Sequence, residues 1–350
     1  MKKVTLWLSL LLIAAFLLAS CGGGEEAAEP TAVPEQPAEA TAVPEEPAEP
    51  FRVAVIMPSA INDLAFSQSM YDALVSIQNE MGAENFEFVY TDGMFVVEDA
   101  AAAIRDYASQ GYDLVIAHGS QYGSSLVEIA PDFPETSFAH GTTVDTFVDK
   151  GVTNVFAYEA RSEEGGYVNG VMAAMLSESG TIGVVGPIET GDAKLYVDGF
   201  KAGVVATKPD AVVNVNWTGS FSDVALASEA AQTHINAGAD ALTGTAQMVV
   251  GAIGVANEKA VPWFGTQSDQ ASFAPQVVVA SQVYKWDVVL KQIIELINAG
   301  TLGGQSFVID LANQGEVIAF NSGYALPDDV KQAADAAIQG IIDGTITPLP

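Results

Sequence analysis

The chain has 350 residues, 49% of them hydrophobic, with 13 basic against 44 acidic side chains and a net charge of −31. That length allows two domains, and the apolar content excludes a globally disordered chain. A protein this acidic has no basic face with which to neutralise phosphates, so nucleic acid is not an expected partner.

Residues 1–20 read "MKKVTLWLSLLLIAAFLLAS": two lysines, a short apolar run, then small residues. That order is an export signal. Cys21 follows directly in "LASC" and is the chain's single cysteine. The stretch resembles the lipobox of bacterial lipoproteins. The resemblance implies cleavage before Cys21 and lipidation there, with more than one acyl chain giving stable anchoring to the membrane. With one cysteine there are no disulfides. From Gly22 to Pro50 the chain is rich in Pro and Glu and repeats a decapeptide, "TAVPEQPAEA" then "TAVPEEPAEP". Such a segment buries little and repels itself, so it reads as an extended spacer reaching at most roughly 90 Å.

From Phe51 the pattern alternates strand and helix. The candidate strands are "FRVAVIMP", "FEFVYT", "DLVIAHG", "TSFAHG", "NVFAYE", "TIGVVGP", "VVNVNWTG", "DALTGTA", "VPWFGTQ" and "VVVASQ". Stretches of helical spacing such as "DAAAAIRDYASQG" lie between them, and several stop at glycine (Gly111, Gly180, Gly238) as left-handed C-caps demand. Continuous apolar strands between helices predict parallel sheets covered on both faces. They are too many for one small sheet, so the expected fold is α/β with two Rossmann-like lobes, crossing near Tyr158–Glu164. No catalytic signature stands out. His118, His140 and His234 lack metal-ligand spacing, so neither a metal nor another cofactor is expected. "GPIETGD" misses a P-loop because Asp192 stands where lysine is needed. Glu163 and Glu164 read as a solvated helix start rather than an acid–base pair.

"NDLAFSQSMYDAL", directly after the first strand, resembles an opening motif of the basic membrane protein (Bmp/Med) family. The likeness extends through an ordered series: "DLVIAHGSQYGSSLVEIAPDFPETSFAHG", "NVFAYEARSEEGGYVNGVMAA", "GVVGPIETGDAKLYVDGFKAGV", "WTGSFSDVALASEAA", "GADALTGTAQMVVGAI" and "FGTQSDQ". It covers Phe51 to about Asn298. Members of that family are substrate-binding lipoproteins of ABC importers and include purine-nucleoside receptors. The resemblance implies a periplasmic-binding-protein type I fold, two α/β lobes joined by three crossings with ligand held between them, and an ABC permease as partner. Lobe 1 is expected over about 51–158 and 277–312, and lobe 2 over 159–276 and 313–350. "VVVASQVYKWD" would return the chain to the first lobe.

Ligands of open parallel sheets sit beyond the carboxyl ends of the strands. Carried over by resemblance and position, the ligand-binding candidates are Asp63, Phe66, Ser67, Gln68, Ser120 and Tyr122 in the first lobe. Those in the second are Trp217, Phe221, Gly244, Gln247 and Gln267, with Lys285 as the family's ligand-facing lysine. Each has a plainer alternative. Asp63 would cap the helix that follows, Phe66 would fill core, and Lys285 beside Trp286 would reach for solvent. The family's "S-F-N" is "A-F-S" here. Gln267 stands in "GTQSDQ" where nucleoside binders carry an acid that grips ribose hydroxyls, which a neutral amide does less strongly. The expected function is therefore extracytoplasmic capture of a small polar aromatic ligand, a nucleoside first. A flavin, a sugar or another small metabolite is the alternative within the same architecture. An exported hydrolase is a more distant reading, because no nucleophile and base are found together.

Overall fold

The computed structural model describes residues 49–349. The expected export signal, Cys21 and most of the Pro/Glu segment lie outside the described residues. In chain order the first half comprises β1 (Phe51–Ile56), α1 (Phe66–Met81), β2 (Phe86–Thr91), α2 (Val97–Ser109), β3 (Leu114–Ala117), α3 (Gly123–Ile129), β4 (Ser137–Gly141) and β5 (Val155–Ala160). Next come α4 (Ser162–Leu176), β6 (Thr181–Gly186), α5 (Gly191–Thr207), β7 (Val212–Trp217), α6 (Val224–Asn236), β8 (Ala241–Gly244), α7 (Val249–Lys259), β9 (Trp263–Gly265) and β10 (Val278–Tyr284). Last are α8 (Asp287–Asn298), β11 (Ser306–Ile309), β12 (Glu316–Phe320) and α9 (Asp328–Ile342).

These strands form two six-stranded sheets, ordered β11-β5-β4-β3-β1-β2 and β12-β10-β9-β8-β6-β7. The first is parallel throughout, and the second is parallel except for β12, which runs antiparallel to β10. Apolar clusters cover both faces of each sheet, which is why the strand sequences run apolar without alternation. This is the expected α/β architecture of two lobes. The chain passes between them three times, from β5 to α4, from β10 to α8 and from β11 to β12.

One boundary differs from expectation. β10 pairs with β9 and β12 in the second sheet, so "VVVASQVYKWD" does not carry the chain back at its start. The return comes only with Trp286 and α8, whose Val289, Leu290 and Ile293 join Phe66 and Phe156 in the first-lobe core. The strand is buried on both faces, and that pattern carries no information about which sheet it enters.

Helices α4 and α5 touch backbone to backbone. A Cβ on Gly166 or Gly170 would run into the carbonyls of Tyr196 or Phe200, and one on Gly199 or Gly203 into those of Glu163 or Tyr167. Glycine four residues apart on each helix removes the side chains that would hold the axes apart. The close contact fixes α5 against α4, and Asp192 lies in the first turn of α5.

Candidate functional site

A cleft of about 390 Å³ lies at the carboxyl ends of the parallel strands. The first lobe contributes Pro58 and Phe66 after β1, Phe95 and Val97 after β2, Gly119 to Gln121 after β3, and Thr142 after β4. The second contributes Thr190 to Ala193 after β6, Phe221 after β7, Ala246 and Gln247 after β8, and Gln267 after β9. Every one of those strands thus ends at the same cavity, where open α/β sheets hold ligands.

The loop before α1 divides its labour. Asp63 Oδ1 accepts from the backbone N–H of Ala65 at 2.8 Å and of Gln68 at 3.1 Å, and Oδ2 accepts from that of Ser67 at 3.1 Å. Ser59 Oγ also donates to Asp63 Oδ2. Asp63 therefore satisfies the first-turn amides that every helix leaves open. Phe66 lines the cleft. One face of its ring stacks on His118, with centroids 3.8 Å apart and planes 8° from parallel. His118 is itself bonded to the hydroxyl of Tyr158 at 2.7 Å and to the carbonyl of Phe66 at 3.2 Å. Burial lowers the His118 pKa to about 3, so the imidazole is neutral and packs as a flat aromatic support.

Two more phenylalanines complete the aromatic wall. Phe95, from the first lobe, is 41% exposed, and Phe221, from the second, is partly exposed. An exposed aromatic is common, but aromatics from both lobes on one cavity form a surface for a flat ligand. The polar lining includes Asp192, Gln247 and Gln267. Gln267 Nε2 donates to Asp192 Oδ2 at 3.2 Å. Burial lifts the Asp192 carboxyl above its usual range, opposed by Gln267 and by the backbone N–H of Ala193. Oε1 of Gln247 and Oε1 of Gln267 have no hydrogen-bond partner, although the side chains are only 8% and 3% exposed. Each such atom costs on the order of 1–3 kcal/mol.

Backbone strain gathers here too. Thr142, Ala246 and Gln267 all line the cleft and have φ of 59°, 75° and 68°. Residues with a side chain seldom adopt that region, and they hold it where surrounding structure over-determines them, commonly at ligand clamps. The Gln267 carbonyl, for one, accepts from the Tyr284 N–H at 3.0 Å.

Of the residues expected from sequence, Phe66, Ser120, Phe221, Gln247 and Gln267 meet at this cleft. Others lie elsewhere. Ser67 is buried behind the loop, with its hydroxyl 2.9 Å from that of Ser59, and Gln68 Oε1 accepts from the Leu64 N–H at 3.0 Å. Tyr122 is fully buried and donates to the Met94 carbonyl at 2.7 Å. Trp217 packs on the second-lobe core, and the Gly244 carbonyl accepts from the Thr266 hydroxyl at 3.1 Å. Lys285 is exposed, apart from the cleft lining, and its backbone N–H meets the Gly315 carbonyl at 2.7 Å. Phe95, Thr142 and Asp192 escaped the sequence reading. The signal for Asp192 was present: an acid in the first turn of a helix that follows a buried strand.

Among the described residues no His, Cys, Asp or Glu group is placed to hold a metal ion. No helix among them is long and apolar enough to cross a membrane.

The profile of a family described as "ABC transporter substrate-binding protein PnrA-like" matches residues 51–347. A purine-binding protein of Brucella abortus is 28% identical over 265 residues, covering 76% of this chain and 73% of that protein. The transcriptional activator protein med of Bacillus subtilis is 28% identical over 267 residues, covering 76% and 80%. Among solved structures, a solute-binding protein of an ABC transporter system from Conexibacter woesei superposes with a TM-score of 0.70 at 25% identity, covering 85% of this chain and 98% of that one.

Proposed function

The chain belongs to the Bmp family of PnrA-like ABC transporter substrate-binding proteins, and on that premise we propose that it captures a nucleoside-like solute for import. One observation carries this reading. Phe66, Phe95 and Phe221 from two lobes face a single cavity that Gln247 and Gln267 also line, and the amide oxygens of those two have no hydrogen-bond partner. Flat aromatic walls suit a heterocycle, and acceptors without donors suit its N–H and O–H groups. The purine-binding protein of Brucella abortus supports the same class of ligand. Another name among the relatives, a transcriptional activator, finds no support in a chain with 13 basic and 44 acidic residues.

The exported, membrane-tethered setting belongs to the same proposal. Cys21 carries lipid, and the Pro/Glu segment spaces the binding body from the membrane and its permease. Fractionation of Cys21→Ala is expected to find the protein released from membranes. Retention of the variant there refutes the anchor.

Calorimetry with adenosine, guanosine, free adenine, glucose and riboflavin tests the ligand class. A nucleoside is expected to bind with a rise in melting temperature by mass action, and small-angle scattering is expected to compact as the lobes close. Binding of glucose or riboflavin in preference to both nucleosides refutes the class. Tight binding with unchanged scattering refutes closure.

A further inference from the structure

Asp192 is the one ionisable side chain among the described residues that line the cleft. Its surroundings set the polarity of its own corner of the cleft. A carboxylate accepts hydrogen bonds and cannot donate, whereas an amide does both. The contact from Gln267 Nε2 to Asp192 Oδ2, 3.2 Å, therefore requires the NH2 end of Gln267 to face the acid. The Gln267 oxygen is left as the end without a partner, and the Gln247 oxygen is likewise free, on side chains more than nine-tenths buried. The α5 N-terminus would by itself attract an anion. Here Asp192 already sits in that first turn, against the Ala193 N–H.

We propose that Asp192, held by Gln267, is the specificity-determining residue of the cleft, admitting neutral or cationic ligands that present O–H or N–H donors and rejecting those that carry a phosphate or carboxylate. The inference rests on the cleft being the solute site, and extends that reading from the shape of the ligand to its charge. A second anionic group would share a partly desolvated space with Asp192 and with two acceptors, and nothing in the lining supplies a counter-charge. A hydroxyl or amino group instead gains a charge-assisted bond. The same logic says what Asp192→Asn does. The asparagine both donates and accepts, so Gln267 no longer has a reason to keep its NH2 toward position 192. The amide can turn, and this corner of the cleft acquires donors.

Two measurements on the mature protein test this. The first is native mass spectrometry of protein purified under mild conditions, which identifies a retained metabolite by mass. A neutral or cationic metabolite supports the proposal even where it is not a nucleoside, and then only the ligand class above falls. A retained phosphate ester or free carboxylate overturns it. The second is calorimetry of wild type, Asp192→Asn and Phe66→Ala with adenosine and adenosine 5′-monophosphate, with unbound melting temperatures confirming that each variant folds. Wild type is expected to prefer adenosine by about tenfold or more, as is usual for one charge-assisted bond. Asp192→Asn is expected to weaken adenosine by a similar factor and to shrink the preference. Phe66→Ala weakens both ligands and keeps their ratio. An unchanged ratio in Asp192→Asn overturns the role of Asp192 while leaving the cleft as the site. Wild type that neither retains a metabolite nor prefers adenosine over its phosphate overturns the proposal as well.

Discussion

Glu316→Gln is expected to stabilise the protein at neutral pH and to flatten part of its stability profile. Glu316 is fully buried on β12, where all three crossings between the lobes converge. Its Oε1 accepts from the Gly165 N–H at 2.5 Å, at the start of α4. Its Oε2 has no partner, and nor has Oε1 of Gln282 on β10, whose Nε2 donates to the Ser162 carbonyl at 3.0 Å. Two acceptors thus stand without a donor, and one proton on Glu316 satisfies both. Burial, with the charges of Glu164 and Glu163, pushes the Glu316 pKa well above the usual carboxyl range, against the pull of Gln282 and Gly165. The sign follows from linkage. Between the unfolded and folded pKa values the native state holds a proton that the unfolded state has lost. Stability is therefore full below the unfolded pKa, near 4.3 for a free glutamate, and falls by about 1.4 kcal/mol per pH unit until the folded pKa is reached. Glutamine reproduces the protonated acid: its oxygen keeps the Gly165 bond and its NH2 supplies the Gln282 oxygen. The variant should gain about 1–3 kcal/mol at pH 7, the cost of one buried acceptor left without a donor, or roughly 2–5 °C in melting temperature for a body of this size. Thermal and urea melts of both proteins from pH 4 to 8 measure it. A variant less stable at pH 7, with the wild-type slope intact, would mean that the ionised carboxylate is itself the structural partner, and the argument fails.

Three further outcomes follow from the same geometry. Phe66→Ala should weaken ligand binding by about tenfold or more, ~1.4 kcal/mol, whereas Asp63→Ala should lower unbound stability by about 0.5–2 kcal/mol through the lost cap; equal affinity in both variants by calorimetry removes Phe66 from the site. Gly170→Ala should cost about 1–3 kcal/mol in urea denaturation, because its methyl meets the Phe200 carbonyl where α4 and α5 touch; a neutral result would deny that contact. His118, with its pKa lowered to about 3, should erode stability as pH falls from about 6.5, since the unfolded chain takes up a proton that the native state refuses; His118→Asn melts that keep the wild-type acid limb would refute that source.

The fold was legible because strand and helix periodicity are local properties. β1 to β10 coincide with apolar runs that need no knowledge of their neighbours. β11 and β12 were missed because they are short and carry polar ends: "SFVI" opens on serine and "EVIAF" on glutamate. Edge position is not the reason, since β2 and β7 are edges too and their six-residue runs rich in β-branched and aromatic residues were readable. The sheet that β10 joins was misread for another reason, since membership depends on partners distant in sequence.

The candidate site divides along the same line, and the opening helix shows why. Asp63 and Phe66 are three residues apart and share one motif, yet one faces backbone amides and the other the cleft. Sequence assigns both to the end of a strand, but direction is settled by the packing of His118 behind the ring. Asp192 is the converse case. Read in sequence, it is an acid that spoils a phosphate loop; in the folded chain it is joined to Gln267, 75 residues away. Neither residue carries the information alone. An acceptor fixes which way an amide points, and that amide then fixes what the cleft offers. Such polarity arises only between side chains, so it becomes readable when the glycine contact of α4 and α5 has set the helix that bears one of them.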